Sequence, residues 1–219
     1  MLNGSIEKKF FYCSILFLIL AVTVFTGTGF IRHDYYSYVI YHKSPMAYLQ
    51  NVLLLICAVL TAFNTWLIYA KENKLNVIWF MITLGFIYLF TDATFSVHQW
   101  IREAFIKPKG VYLSFLPFVD KGDYVLIFIL ALGLLFTPFV LNELKKNKSS
   151  FVYFLTAVIF TITAVAADSF DLRLFNYGFQ KLLQYIEEVS EAIAQIFFIN
   201  SFFCVMIKNL SPNLMKYPG

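Results

Sequence analysis

The sequence predicts an all-α integral membrane protein, a bundle of six transmembrane helices. The first observation is composition, because 60% of the 219 residues are hydrophobic and only 14% are charged. A soluble domain carries about a quarter charged residues. The second is the mean hydropathy of +0.71. The third is a series of apolar runs that reach the roughly 20 residues needed to cross the hydrocarbon core. Soluble, disordered and nucleic-acid-binding classes therefore describe the chain poorly.

The hydrophobic runs divide the chain into spans within one transmembrane domain, residues 1–219. The predicted spans cover about residues 10–31, 44–70, 75–101, 124–142, 149–168 and 182–207. The first is too long for the core of a signal peptide, which favours a retained span. The second opens with Ser44-Pro45, a natural N-cap and first-turn pair. The third continues past Asp92, and Pro138 is expected to kink the fourth.

The connections alternate in length and charge. Residues 71–74 and 143–148 form short basic loops, whereas the other three connections are longer. Lysine and arginine near span ends anchor lipid headgroups and favour the cytoplasmic side. We therefore expect a multi-pass protein with both termini in the cytoplasm. The lipid bilayer is its first partner, a membrane protein is a second candidate partner, and no nucleic acid is expected.

Ionisable side chains gather on the membrane side opposite the short basic loops. Ten of the 13 acids and all three histidines fall there. Much of this gathering is ordinary loop charge, as for His33 and His42. Ionisable groups inside spans cost several kcal/mol unless they are paired, metal-bound or hydrated. The resulting candidates for binding a divalent metal or another ion are Asp92, His98, Asp168, Glu187, Glu188 and Glu191.

Helical periodicity adds four supporting polar residues to these candidates. Gln184 and Gln195 extend a stripe with Glu188 and Glu191 that should face the bundle interior. Ser96 and Gln99 follow Asp92 on a second stripe. His98 lies about 120° away from Asp92 on a regular helix, so both cannot contact one small ion. Either one of the two acts at a distance from the ion, or the helix is distorted.

Structural interpretations remain open for the same residues. The three glutamates, near the predicted start of the sixth span, are suited to capping a helix N-terminus. Asp168 and Asp171 are suited to a solvated loop, and Asp92 to an ion pair with Arg102 or Arg173. Three asparagines within spans are more typical of interhelical hydrogen bonding than of a substrate site. These are Asn51, Asn64 and Asn200.

The third-span segment resembles a motif of uncharacterised bacterial polytopic membrane proteins, approximately Asp-Asp-x-Phe-x-x-His-Glu. Asp92, Phe95 and His98 match it, and Glu187-Glu188 match a Glu-Glu pair that opens the last span in those proteins. Ala93 and Gln99 stand where the motif has its second Asp and its Glu, which removes two carboxyl groups. The resemblance implies the bacterial inner (cytoplasmic) membrane and carries no established activity.

A more distant likeness is to the alkaline ceramidase and adiponectin-receptor superfamily of zinc-dependent membrane hydrolases. Asp92, Ser96 and His98 are similar in layout to the early Ser/His/Asp set of that superfamily. Glu187 and Glu191 stand where a His pair is expected in the last span. The likeness is one of layout, not of motif.

Three functions follow from these observations, in decreasing order of support. The first is a binding or structural membrane subunit whose acidic, His-containing site takes an ion, a lipid or a protein partner. The second is a metal-dependent membrane hydrolase acting on a lipid-like substrate. The third is a small proton- or cation-coupled transporter. One usable histidine is few for a zinc enzyme, and the absence of visible repeats disfavours a transporter. The sequence does not decide whether the protein is an enzyme.

Overall fold

The computed structural model describes residues 2–31, 38–39, 44–106, 108, 124–170 and 172–214, and these are almost entirely helical. The helices are α1 (Leu2–Ile31), α2 (Pro45–Glu72), α3 (Val77–Phe95), α4 (Val97–Ile101), α5 (Tyr124–Leu144), α6 (Lys148–Ser169) and α7 (Tyr177–Leu214). Six of them, all but the short α4, are long and apolar enough to cross a membrane. The predicted all-α, six-span fold is confirmed.

The last helix, α7, is the axis of the bundle. It packs most extensively against α6, then α2, then α1. In the apolar stretch of α7, 56% of the residues are buried, whereas only 6% of the residues are buried in the apolar stretches of α1 and α5. Both α1 and α5 therefore lie at the periphery, where large apolar side chains such as Leu16, Leu20 and Leu135 are exposed. Such surfaces are suited to lipid, as expected for a multi-pass membrane protein.

The interface between α2 and α7 is a parallel seam with a polar contact every seven residues. Three side chains of α2 donate hydrogen bonds to carbonyl oxygens of α7, always at an offset of 138 residues. The bonds are Gln50 Nε2 to Glu188 O at 2.9 Å, Cys57 Sγ to Gln195 O at 3.8 Å and Asn64 Nδ2 to Phe202 O at 3.0 Å. We call this interface the α2–α7 seam. A seven-residue repeat keeps two helices facing each other along their length.

The interface between α6 and α7 is antiparallel and combines small residues with aromatic rings. Ser150 and Ser201 exchange hydrogen bonds, each hydroxyl lying 2.9 Å from the carbonyl oxygen of the other residue. Further along, Ala157 of α6 and Ala192 and Ala194 of α7 are buried. Small side chains allow membrane helices to approach closely and gain van der Waals contact. We call this interface the α6–α7 seam.

The ends of the helices are fixed by side-chain caps. Ser44 Oγ accepts from the Ala47 N–H at 3.0 Å with Pro45 in the first turn, which confirms the predicted cap. Asn76 caps α3 and Asn147 caps α6. Asn147 Nδ2 also donates to Cys204 O at 3.3 Å, and thereby ties the short α5–α6 loop to α7. The fourth span continues through Pro138 to Leu144.

Aromatic rings fill the centre of the bundle on the α3 side of α7. Phe86, Phe198 and Phe202 are in mutual contact, with ring centroids 5.2 to 6.0 Å apart. Phe154 of α6 and Trp79 of α3 close the cluster from either side. Two of the predicted interhelical asparagines are confirmed, Asn64 through the α2–α7 seam and Asn200 through a 2.8 Å bond to Ser14 Oγ. Asn51 forms no such bond within the described residues.

Candidate acidic site

A break in the third span creates one wall of the site. The sequence predicted a continuous span to residue 101, and this is wrong, because α3 ends at Phe95 and α4 starts at Val97. Ser96 between them adopts the left-handed conformation, with φ 53° and ψ 45°. Its N–H donates to Asp92 O at 2.7 Å and its carbonyl accepts from Trp100 N–H at 3.0 Å. A non-glycine residue in this region costs about 1–2 kcal/mol, and such strain concentrates at functional sites.

The break turns His98 back onto Asp92. Asp92 Oδ1 accepts from the His98 backbone N–H at 2.7 Å, and Oδ2 lies 2.8 Å from His98 Nδ1. One carboxyl group thus both caps α4 and orients the imidazole. Of the two alternatives for this pair, the distorted helix is the one observed, and the stripe of Asp92, Ser96 and Gln99 along one regular helix is wrong. Asp92 is only 7% exposed.

The structure tests one of the two ion-pair alternatives for Asp92, the pair with Arg102. The described partner of the Asp92 carboxyl group is His98. Arg102 Nε lies 3.4 Å from Glu103 Oε1 instead. Both Asp171 and the Arg173 side chain lie outside the described residues, as do His33 and His42. Because Asp92 reaches its histidine across a helix break, the pairing needs the strained Ser96 to hold it.

The second wall comes from the junction between α6 and α7. Asp168 is the second-last residue of α6, and its carboxyl group lies within hydrogen-bonding reach of that of Glu187. Two carboxyl groups can share a hydrogen bond only when a proton lies between them, since two carboxylates offer acceptors alone. Asp168 is thus joined to α7, and the alternative in which it is merely solvated in a loop is not what the structure shows.

The three glutamates of α7 do not cap a helix. The helix begins at Tyr177 and has no acidic residue in its first turn, so Glu187 lies about ten residues inside. The capping interpretation is therefore wrong. The sequence placed the start of the span too late because its apolar pattern begins only near Leu182. The polar first turns of α7 continue the same helix.

Glu188 is held by a residue that sequence reasoning missed. Gln50 Nε2 donates both to Glu188 O and to Glu188 Oε2, each at 2.9 Å. Gln50 is 6% exposed and belongs to the buried face of α2 together with Cys57 and Asn64. Gln50, Cys57 and Asn64 follow one another at seven-residue intervals, and this repeat was the signal that could have identified Gln50. The site therefore draws on α2 as well as on α3, α6 and α7.

Glu191 is the residue where the two walls meet. Its carboxyl group interacts electrostatically with Asp168 on one side and with Asp92 and His98 on the other. Glu188 also interacts with Glu191 and with Asp168. All three glutamates keep part of their surface accessible. The structure thus brings together the whole predicted set, which we call the acidic cluster: Asp92, His98, Asp168, Glu187, Glu188 and Glu191.

The acidic cluster carries more negative than positive groups. Among the described residues it contains five carboxyl groups and one imidazole. The charges that act on its glutamates come from Asp92, Asp168, His98 and one another. Like charges so close in a weakly polar interior repel strongly and require compensation by protons or cations.

The described side chains of the acidic cluster are arranged in pairs. Among the described residues, no group of three or more His, Cys, Asp or Glu side chains is arranged to hold a metal ion. The side chains are joined in pairs instead, as in Asp92 with His98 and Asp168 with Glu187. Paired carboxyl groups are better suited to holding protons than to surrounding a divalent ion.

The four supporting residues have different positions. Ser96 is the residue at the break. Gln99 lies in α4, where its backbone carbonyl accepts from the Arg102 N–H. Gln184 is partly buried in α7, one turn before Glu188. Gln195 lies one turn beyond Glu191 and is 6% exposed, and its Oε1 has no hydrogen-bond partner among the described residues.

A family model described as "Domain of unknown function (DUF8692)" matches residues 15–206 of the chain. No curated protein and no solved structure matches the chain.

Proposed function

The chain belongs to the DUF8692 family, and we propose that it is a proton-binding membrane protein whose acidic cluster takes up and releases protons. The observation that carries the proposal is the close approach of the Asp168 and Glu187 carboxyl groups, because two carboxylates at hydrogen-bonding range repel each other, whereas a proton between them forms a hydrogen bond. This proposal keeps the first of the predicted classes, a binding protein, and names its ligand as the proton.

The connections within the acidic cluster support the proposal. Glu191 interacts with Asp168 and with the Asp92–His98 pair, so a proton lost by one carboxyl group finds acceptors close by. His98 Nδ1 is held by Asp92 Oδ2 at 2.8 Å, and this fixes the ring so that Nε2 is available for exchange. Imidazole and carboxyl groups are the side chains most used in proton relays inside membranes.

The proposal is tested with a hydrophobic carbodiimide, a reagent that modifies protonated carboxyl groups in apolar surroundings. We expect N,N′-dicyclohexylcarbodiimide to label Glu187, Glu188 or Glu191 in the purified protein, with labelling located by mass spectrometry. Glu72 and Glu143, on the opposite side of the bundle, serve as internal controls because Glu72 is exposed and Glu143 is partly exposed, outside the apolar surroundings of the acidic cluster. Labelling of the controls alone would contradict the proposal.

A metal-dependent hydrolase is the second candidate. The observation that favours it is the Asp92–His98 contact, because histidines that bind metals commonly give their other ring nitrogen to a carboxylate. Elemental analysis separates the two candidates. Stoichiometric metal in the parent protein that is lost in both His98→Ala and Glu191→Gln supports the hydrolase, whereas metal-free protein supports proton binding.

A further inference from the structure

Helices α2 and α7 contain three buried polar atoms that no described residue satisfies. They are Asn64 Oδ1, Gln195 Oε1 and Asn209 Nδ2. Asn64 is fully buried and Gln195 is 6% exposed, and both residues take part in hydrogen bonds across the α2–α7 seam. An unsatisfied buried polar atom costs about 1–3 kcal/mol. These atoms therefore require a partner that supplies both donors and acceptors.

Asn64 and Gln195 follow the repeat of the seam. Gln195 is at the level of Cys57, and Phe202, one repeat further along α7, is at the level of Asn64. Asn209 lies one repeat beyond Phe202 in the sequence, and the same offset of 138 residues corresponds to Lys71, which lies in the last turn of α2. Together with the Gln50–Glu188 contact, the observed hydrogen bonds define three successive levels of the seam, and the repeat extends the series to a fourth at the basic face.

We infer that the α2–α7 seam holds a file of water molecules and conducts protons between the acidic cluster and the opposite face of the membrane. Water fits all three atoms, because it donates to the carbonyl oxygens of Asn64 and Gln195 and accepts from the Asn209 amide. The inference rests on the proposed function, since the acidic cluster is where protons join and leave the file. It adds transmembrane proton transfer to proton binding.

The spacing of the levels suits such a file. Seven helical residues rise about 10.5 Å, which corresponds to about three or four hydrogen-bonded oxygen atoms at roughly 2.8 Å each. Between Gln195 and Asn64 the buried Thr61 offers a further hydroxyl group, whose own proton is donated to Cys57 O or Ala58 O at 2.9 Å. Its oxygen therefore remains an acceptor for water.

The chemistry of transfer balances at every step. A carboxyl group of the acidic cluster breaks its O–H bond as the first water accepts the proton, and that water releases one of its protons to the next. The last water releases a proton at the level of Lys71 and Asn209. The carboxylate left behind is reprotonated from the aqueous phase at the cluster, so no other reactant is consumed.

Proton flux in proteoliposomes tests the inference. The full chain is reconstituted with a pH-sensitive dye inside the vesicles, and a potassium diffusion gradient drives proton movement. We expect faster acidification than in protein-free vesicles. Gln195→Leu and Asn64→Leu should each lower the flux about tenfold, which corresponds to about 1.4 kcal/mol on the barrier. Ser201→Ala, on the α6–α7 seam, is the matched control and should leave the flux unchanged.

The outcomes separate the inference from the proposed function. Carbodiimide labelling of the acidic cluster without any flux would overturn the water file and leave proton binding standing, whereas loss of both would reject both. Leucine variants that conduct like the parent also overturn the inference. If a leucine variant fails to fold, the isosteric Thr61→Val replaces it: a reduced flux supports the water file, and an unchanged flux contradicts it.

Discussion

Helix α7 presents two different surfaces to its main neighbours. Toward α6 its polar atoms are matched within the interface, as in the mutual hydrogen bonds of Ser150 and Ser201. Toward α2 polar contacts recur every seven residues, and Gln195 Oε1 and Asn64 Oδ1 have no partner in the part of the chain that the structure describes. The matched surface acts as a scaffold. The unmatched one has the form of a surface that receives a ligand, because buried polar atoms are normally hydrogen-bonded to protein groups or to water.

The largest expected effect comes from the scaffold surface. Ala157 is fully buried on α6, and it follows Ser150 and Phe154 on the face that contacts α7. Ala157→Leu should lower the free energy of unfolding by about 1–3 kcal/mol, because the larger side chain forces the helices apart. The measurement is unfolding in mixed micelles by titration with dodecyl sulfate.

Ala166→Leu is the control for that measurement, because Ala166 is exposed on the same helix. Its unfolding free energy should stay within about 0.5 kcal/mol of the parent value. Equal effects of the two substitutions would show that close packing of α6 on α7 is not what holds the scaffold together.

A smaller effect is expected at the break that carries His98 to the acidic cluster. Ser96→Val should unfold more easily than Ser96→Gly by about 1–2 kcal/mol, since a β-branched side chain is strongly disfavoured at φ 53°. The same titration measures the difference. Equal stability of the two variants would mean that the left-handed turn is absent and that Asp92 does not hold His98.

The smallest effect compares the two surfaces of α7 directly. Ser201→Ala should cost about 0.6 kcal/mol of unfolding free energy, the usual value of a hydrogen bond between membrane helices. Asn64→Leu should cost less than this, because it removes a carbonyl oxygen that no described protein group satisfies together with the bond to Phe202 O. A larger loss of unfolding free energy for Asn64→Leu than for Ser201→Ala would mean that the α2–α7 seam is a scaffold, as the α6–α7 seam is.

The sequence was sufficient for the six spans and for the members of the acidic cluster. Span number follows from the length of apolar runs, and Asp92, Asp168 and Glu191 were visible because charged groups are rare within spans. The break at Ser96 was not visible as such, since no glycine or proline marks it. It is set by the contact of Asp92 with His98, which forms only once the chain has turned.

Two further features depended on neighbours that the sequence does not reveal. Gln50 lies within a long uncharged and mostly apolar run, and only the parallel packing of α2 on α7 brings it to Glu188. The start of α7 at Tyr177 was missed because hydrophobicity marks the hydrocarbon core and not the end of the helix. Sequence reasoning therefore named residues that the structure brings together, and of its interpretations of the glutamates the capping alternative was wrong.

Infrared spectroscopy of the purified protein at neutral pH tests the central claim most directly, namely that the acidic cluster holds a proton between Asp168 and Glu187. The proposal predicts a carbonyl absorption of a protonated carboxyl group that disappears in the double variant Asp168→Asn with Glu187→Gln. It should persist in Glu72→Gln, which alters an exposed acid at the far end of α2. A parent spectrum without that absorption, or one that the double variant leaves unchanged, would contradict the account.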